Sequence, residues 1–149
     1  MRKTIKLILL ILCMSMLFLF SRETGTDSTN TSSAIVKIVF DIYSFIFKND
    51  LTFEIFCKYA MPPIRKLAHF SEFALLGILA YINAKEYTNK YIIVSILFSI
   101  AYAASDEIHQ LFVENRYGCF KDVCIDSLGI MVGILLIHMF EQKCIKKDS

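Results

Sequence analysis

Four long apolar stretches, separated by polar segments, constrain the fold of this chain more than any other feature. A helix needs about 20 mainly apolar residues to cross the roughly 30 Å hydrocarbon core of a membrane. The stretches lie at about residues 5–21, 67–83, 91–110 and 123–140. A chain of 149 residues that is 56% hydrophobic and 20% charged is too small to hide so much apolar surface from water. We therefore predict one membrane domain over residues 1–149 and disfavour a soluble enzyme.

The first stretch has two interpretations. Residues 7–20 carry no charge and follow the basic residues Arg2, Lys3 and Lys6. Fourteen uncharged residues are few for a span, but Lys6 can extend its side chain to the membrane surface and lengthen it. The alternative is a secretory signal peptide, which needs small residues at its cleavage site. Residues 19–22 are mostly bulky there, so we expect this segment to remain attached as the first span.

The region between the first two spans predicts an additional helix. Its polar positions Lys37, Asp41, Ser44 and Lys48 are spaced by 4, 3 and 4 residues, which places them on one helical face. This segment is too short and too charged to span, so residues 34–47 predict an amphipathic helix in the membrane interface. The polar residues 21–33 predict a loop, and Pro62-Pro63 predicts a break before the second span.

These elements define the expected fold class, an all-α integral membrane bundle of four transmembrane helices plus an interfacial amphipathic helix. Lys and Arg near span ends favour the cytoplasmic side. The basic N-terminus, the Lys85–Lys90 loop and the Lys-rich tail therefore predict a multi-pass protein of the cell membrane with both termini in the cytoplasm. The lipid bilayer is its expected partner. A net charge of only +2 does not suggest nucleic-acid binding.

Polar side chains gather at the expected outer ends of spans two, three and four. Charged groups in membrane segments are costly and usually mark function, although helix-end acids often only cap and solvate. Residues three or four apart share a helical face, and three such sets occur here. An arginine on the loop between spans three and four could bind a carboxylate or a phosphate. The predicted functional cluster is His69, Glu72, Asp106, Glu107, Gln110, Arg116 and Asp122.

Other chemistry-bearing residues carry less weight. His109 lies on a different face from Asp106 and Gln110, so we expect an interfacial residue, and His138 is expected to pack alone within span four. Cys57, Cys119 and Cys124 are expected to lie outside, where a disulfide could form, and their spacing is no zinc signature. Gly129 and Gly133 form a GxxxG face that predicts close packing within the bundle.

Two separate segments of the chain resemble the VanZ-like family. Residues 65–73 are similar to its Arg-Lys-x-Ala-His-Phe-x-Glu-Tyr motif, and residues 106–112 are similar to a second motif. Further matching positions follow in the same order, and they are Arg116, Gly118, Asp122, Gly129 and Gly133. The chain also departs from the family pattern. Glu114-Asn115 stands where the family usually has Pro-Gly, and Asp126 stands where it commonly has Asn. The second departure argues against a catalytic carboxylate at Asp126.

The resemblance implies a small bacterial cell-envelope protein. The family takes its name from a member linked to teicoplanin resistance, so the resemblance also implies an effect on susceptibility to lipid-tailed glycopeptides. It supplies no biochemical activity and no cofactor. Most relatives lie outside resistance gene sets, so this chain need not confer resistance.

Three hypotheses follow for the function. The first is a non-enzymatic protein that binds a lipid-linked envelope precursor or an amphipathic glycopeptide at the outer face, with the interfacial helix as one wall. The alternative is a membrane-embedded, metal-dependent hydrolase or transferase acting on a phosphate-bearing lipid. There Glu72, Glu107 and Asp122 would hold a divalent cation, His69 would act as acid or base, and Arg116 would bind phosphate. A weaker third hypothesis is a proton-coupled transporter, which the absence of charge at mid-membrane depth disfavours.

Overall fold

The computed structural model describes the backbone of residues 2–22, 25–47, 52–113 and 118–147. It forms five helices in these ranges and no strand. The helices are α1 (Lys3–Arg22), α2 (Gly25–Phe47), α3 (Phe53–Ala84), α4 (Tyr91–Gln110) and α5 (Phe120–Lys147). Four of them, α1, α3, α4 and α5, are long and apolar enough to cross a membrane. The predicted class, an all-α bundle with four such helices and a fifth helix after the first, is confirmed.

Two local expectations were wrong. The polar segment 21–33 is helical at residues 21–22, which end α1, and from Gly25 onward in α2. Ser, Thr and Asn are weak helix formers, so these turns extend a helix that the apolar part of α2 has already nucleated. Pro62 and Pro63 lie inside α3 and do not end it. They remove two backbone donors, a loss that membrane helices often tolerate. As a result α3 has 32 residues and is about 48 Å long, well beyond the hydrocarbon thickness.

The bundle interior is held by close contact between α3 and α5. A Cβ on Gly129 would overlap the carbonyl oxygen of Phe70, and one on Gly133 would overlap that of Ala74. Gly77 of α3 approaches the backbone of Ile130 in the same way. The GxxxG face therefore packs within the bundle, as the sequence predicts, and it lets two parallel backbones touch.

Large apolar side chains cover the outside of the bundle. Leu97 on α4 and Leu135 on α5 are 64% and 56% exposed, while Phe73 and Ile130 inside the bundle are fully buried. A soluble protein of this size would leave such residues in water at a high cost. In a membrane, lipid tails cover them, so the exposure pattern fits a membrane bundle.

Polar contacts join the helices at the end of the bundle that holds both chain termini. Lys6 pairs with Glu86, and Lys85 Nζ lies 2.6 Å from Oε2 of Glu141. Tyr81 Oη donates a 2.9 Å hydrogen bond to Glu141 and lies 3.0 Å from Nδ1 of His138. His138 is therefore not an isolated packing residue, because Tyr81 on α3 reaches it across the bundle.

The helix α2 packs on the part of α3 that precedes the two prolines. Phe40 lies 5.4 Å from Phe53 and 5.3 Å from Phe56 between ring centroids, and Tyr43 lies 5.2 Å from Phe56. The opposite face of α2 leaves Phe45 84% exposed. This arrangement places the apolar second half of α2 beside the bundle end opposite the termini.

Candidate functional site

A pocket of about 330 Å³ opens at the bundle end opposite the termini, between the first part of α3, the end of α4 and the start of α5. We call it the site pocket. Both acidic and basic side chains contribute to its wall. Its lining residues are Met61, Pro62, Arg65, Lys66, His69, Glu107, Gln110, Asp122, Ile125 and Asp126.

An ion pair stands at the mouth of the site pocket. Nζ of Lys66 on α3 lies 2.6 Å from Oδ1 of Asp122 on α5, and these side chains are 49% and 37% exposed. Asp122 also lies in the first turn of α5, where a negative charge is favoured by the helix dipole. The pair joins α3 to α5 at the opening of the site pocket.

The end of α4 supplies three buried polar residues. Nε2 of Gln110 donates a 2.9 Å hydrogen bond to Oδ2 of Asp106, four residues earlier on the same face. Oε2 of Glu107 accepts a 2.9 Å hydrogen bond from the backbone amide of Cys119. A Cβ on Gly118 would overlap the carbonyl oxygen of Glu107, so only glycine lets the chain pass this close. These contacts fix the start of α5 against the end of α4.

Asp126 lies deepest on the α5 side of the pocket wall. It comes one helical turn after Asp122, and its residue surface is only 1% exposed. Among the residues that the structure describes, neither of its carboxylate oxygens has a hydrogen-bond partner. An unpaired buried carboxyl group is unfavourable, and such groups in native proteins call for an explanation.

On the α3 side, His69 forms part of the pocket wall and Glu72 lies next to it. Nδ1 of His69 lies 3.9 Å from Oε2 of Glu72, one turn along the helix. His69 lines the pocket, whereas Glu72 lies next to it outside the lining. Glu72 therefore adds a negative charge beside His69 without facing the cavity itself.

The structure brings together much of the predicted cluster. His69, Glu107, Gln110 and Asp122 line one pocket, while Asp106 stands behind Gln110. Arg116 lies outside the described residues. Three further residues line the pocket that were not in the predicted cluster, and they are Arg65, Lys66 and Asp126. The first two belong to the motif at residues 65–73. The spacing of four between Asp122 and Asp126 was a signal that both share one face of α5.

The described residues offer no metal centre. No group of three or more His, Cys, Asp or Glu side chains in the described ranges is arranged to hold a metal ion. Glu72, Glu107 and Asp122 are thus not grouped as three ligands of one ion in these ranges. All five cysteines are free thiols, and His109 packs against the Phe18 ring with centroids 4.9 Å apart.

A second, more open cleft adjoins the site pocket. It has a volume of about 460 Å³ and is lined by Phe53, Glu54, Cys57, Lys58, Met61 and Pro62 of α3. We call it the α3 cleft. Met61 and Pro62 line both cavities, so the site pocket and the α3 cleft meet at these two residues.

The fold and this charged pocket define a small multi-pass membrane protein with a polar site at one end of its helix bundle. A family model described as VanZ/LLP1 matches residues 6–141, which is nearly the whole chain. The protein belongs to the VanZ family, as the two motifs indicate. Comparison with curated proteins and with solved structures finds no match.

Proposed function

We propose that this VanZ-family protein binds an amphipathic molecule of the bacterial cell envelope, such as a lipid-linked precursor or a lipid-tailed glycopeptide. Its polar head occupies the site pocket and its apolar part follows the α3 cleft. The junction of the two cavities at Met61 and Pro62 carries this proposal. A charged pocket that continues into an apolar cleft matches the two parts of an amphiphile.

The charge pattern supports a binding role. Arg65 and Lys66 face the same cavity as Glu107, Asp122 and Asp126. Side chains of both signs in one partly enclosed pocket provide several directed hydrogen bonds for a polar head. The metal-dependent alternative lacks comparable support, because the described acids and histidines do not form a cation site.

The proposal places the site pocket at the outer face of the membrane. Lys3, Lys6 and Lys85 lie at the opposite end of the bundle, and basic residues favour the cytoplasm. The α2 helix, with exposed Phe45 and Ile46, then lies in the outer interface as one wall beside the α3 cleft. From the outer face, the protein could change susceptibility to teicoplanin by binding either the antibiotic or a lipid-linked molecule.

Photo-cross-linking tests this proposal on the full chain in vesicles of a bacterial lipid extract. A lipid analogue with a photoreactive group near its head should label residues 53–69 more than the lipid-facing surface around Leu97 and Leu135. Met61→Trp should block the junction and reduce this labelling, whereas the matched variant Met131→Trp, at an exposed position of α5, should not. Uniform labelling of every lipid-facing helix, unchanged by Met61→Trp, would contradict the proposal.

A further inference from the structure

The two ionisable groups of the site pocket that have no hydrogen-bond or ion-pair partner among the described residues are Arg65 and Asp126. The structure records no hydrogen bond or ion pair for the Arg65 guanidinium within these ranges, whereas Lys66 beside it is bound to Asp122. Both oxygens of Asp126 are buried and unpartnered, and its residue is 1% exposed. Within the described part of the chain, the pocket thus presents one cation and one acid without partners, which is complementary to a ligand that carries both charges.

The two groups lie at different depths. The helices α3 and α5 run parallel, and the Lys66–Asp122 pair shows which of their residues are level with each other. Arg65 therefore lies near the level of Asp122, at the mouth. Asp126 lies four residues further along α5, or about 6 Å deeper. A bound head group would thus place its cation inside and its anion nearer the opening.

Asp126 is surrounded by other acids on α3, α4 and α5. The carboxylates of Glu107, Asp106 and Asp122 are close enough to act electrostatically on Asp126. A buried carboxylate without a partner is costly, and an ammonium group would provide both a positive charge and N–H donors. The arginine fork at the mouth matches the oxygens of a phosphate, the anionic group of most membrane lipids.

We propose that the site pocket recognises a head group carrying a primary ammonium and a phosphate, with the ammonium on Asp126 and the phosphate on Arg65. This inference rests on the proposed amphiphile binding and names the chemistry of the polar head. A phosphoethanolamine unit, either on a membrane lipid or free in solution, has both groups joined by a short linker. Asp126 then acts as the residue that selects for N–H donors.

Binding of short-chain phospholipids to the detergent-purified full chain, measured by native mass spectrometry, tests the inference. Phosphatidylethanolamine should bind at least about tenfold more tightly than phosphatidylcholine, whose quaternary nitrogen has no N–H donor. Asp126→Asn should remove most of this preference, and Arg65→Gln should weaken binding of both lipids. Asp41→Asn and Arg22→Gln are matched controls at exposed positions and should change neither. Soluble phosphoethanolamine should compete if the head group alone is recognised, and failure to compete would assign recognition to the complete lipid.

The results separate the two proposals. Equal binding of both lipids, unchanged by Asp126→Asn and Arg65→Gln, would overturn the head-group inference while leaving amphiphile binding intact. Lack of binding by any phospholipid, together with uniform photo-cross-linking, would overturn the proposed function as well. The comparison of the two lipids uses the unaltered protein, so it decides the inference even if a variant fails to fold.

Discussion

Nζ of Lys66 and Oδ1 of Asp122 lie 2.6 Å apart and connect α3 to α5 at the mouth of the site pocket. At the other end of the same helix pair, Nζ of Lys85 lies 2.6 Å from Oε2 of Glu141. Both pairs join residues that are 56 positions apart, so they define the same parallel register. This register places Asp126 beside the pocket and Gly133 against Ala74.

We expect Gly133→Ala to destabilise the bundle. The new Cβ would overlap the carbonyl oxygen of Ala74, and the helices can separate only by losing contacts along their length. Overpacking of this kind costs about 1–3 kcal/mol. Thermal unfolding in detergent should show a lower midpoint for Gly133→Ala and little change for Leu135→Ala on the lipid-facing side. An unchanged midpoint for Gly133→Ala would show that α3 and α5 are not in backbone contact.

The Lys6–Glu86 pair predicts a pH-dependent contribution to stability. The ammonium groups of Lys6 and Lys3 lower the pKa of the Glu86 carboxyl below its ordinary value. Because the folded pKa is the lower one, the contribution is complete above the unfolded value of about 4.3 and is lost as the pH falls through the folded pKa. Glu86→Gln should therefore reduce the unfolding midpoint near neutral pH, and the difference from wild type should disappear in acid.

Salt provides an independent check on this pair. The pair is partly exposed, so high ionic strength should shrink the effect of Glu86→Gln at neutral pH. Asp41→Asn, an acid-to-amide change at an exposed position of α2, serves as the matched control. A difference between wild type and Glu86→Gln that persists unchanged at low pH and high salt would show that Glu86 acts through packing instead of charge.

Topology can be measured with reporter fusions. Basic residues at the N-terminus, in the loop at residues 85–90 and in the tail predict that this end of the bundle faces the cytoplasm. Fusions at residue 87 and at the C-terminus should report the cytoplasm, and a fusion near residue 28 should report the outside. The opposite pattern at all three positions would move the site pocket to the cytoplasmic face.

The sequence was sufficient to predict the helices that can span a membrane, because the hydrocarbon core imposes both their length and their composition. It failed at Pro62-Pro63, where the local rule for soluble helices does not hold in a membrane protein. It also missed the contact between Tyr81 and His138, which depends on how α3 and α5 align. Residue spacing reveals which side chains share one helical face, but not the register between two helices.

In the candidate site too, contacts within one helix could be predicted from the sequence and contacts between helices could not. Spacing on α4 correctly grouped Asp106 and Gln110, which are hydrogen-bonded in the structure. Arg65 and Lys66 were not in the predicted cluster, because spacing along α3 does not show which residues of α5 are level with them. Lys66 contacts Asp122, which is 56 positions away. Asp126 was set aside on the basis of a family pattern, whereas its burial in this chain is what makes it distinctive.

The central claim is that the pocket side chains form one binding site, and double variants test it most directly. The measurement is the yield of the head-group photo-cross-link for Glu107→Gln, for Asp122→Asn and for the double variant. Membrane abundance is measured for each variant, and Asp41→Asn is the control. If the residues act as one site, each single change should remove most of the labelling and the second should add little. Small, additive losses at normal abundance would contradict the claim, because independent helix-end residues behave in that way.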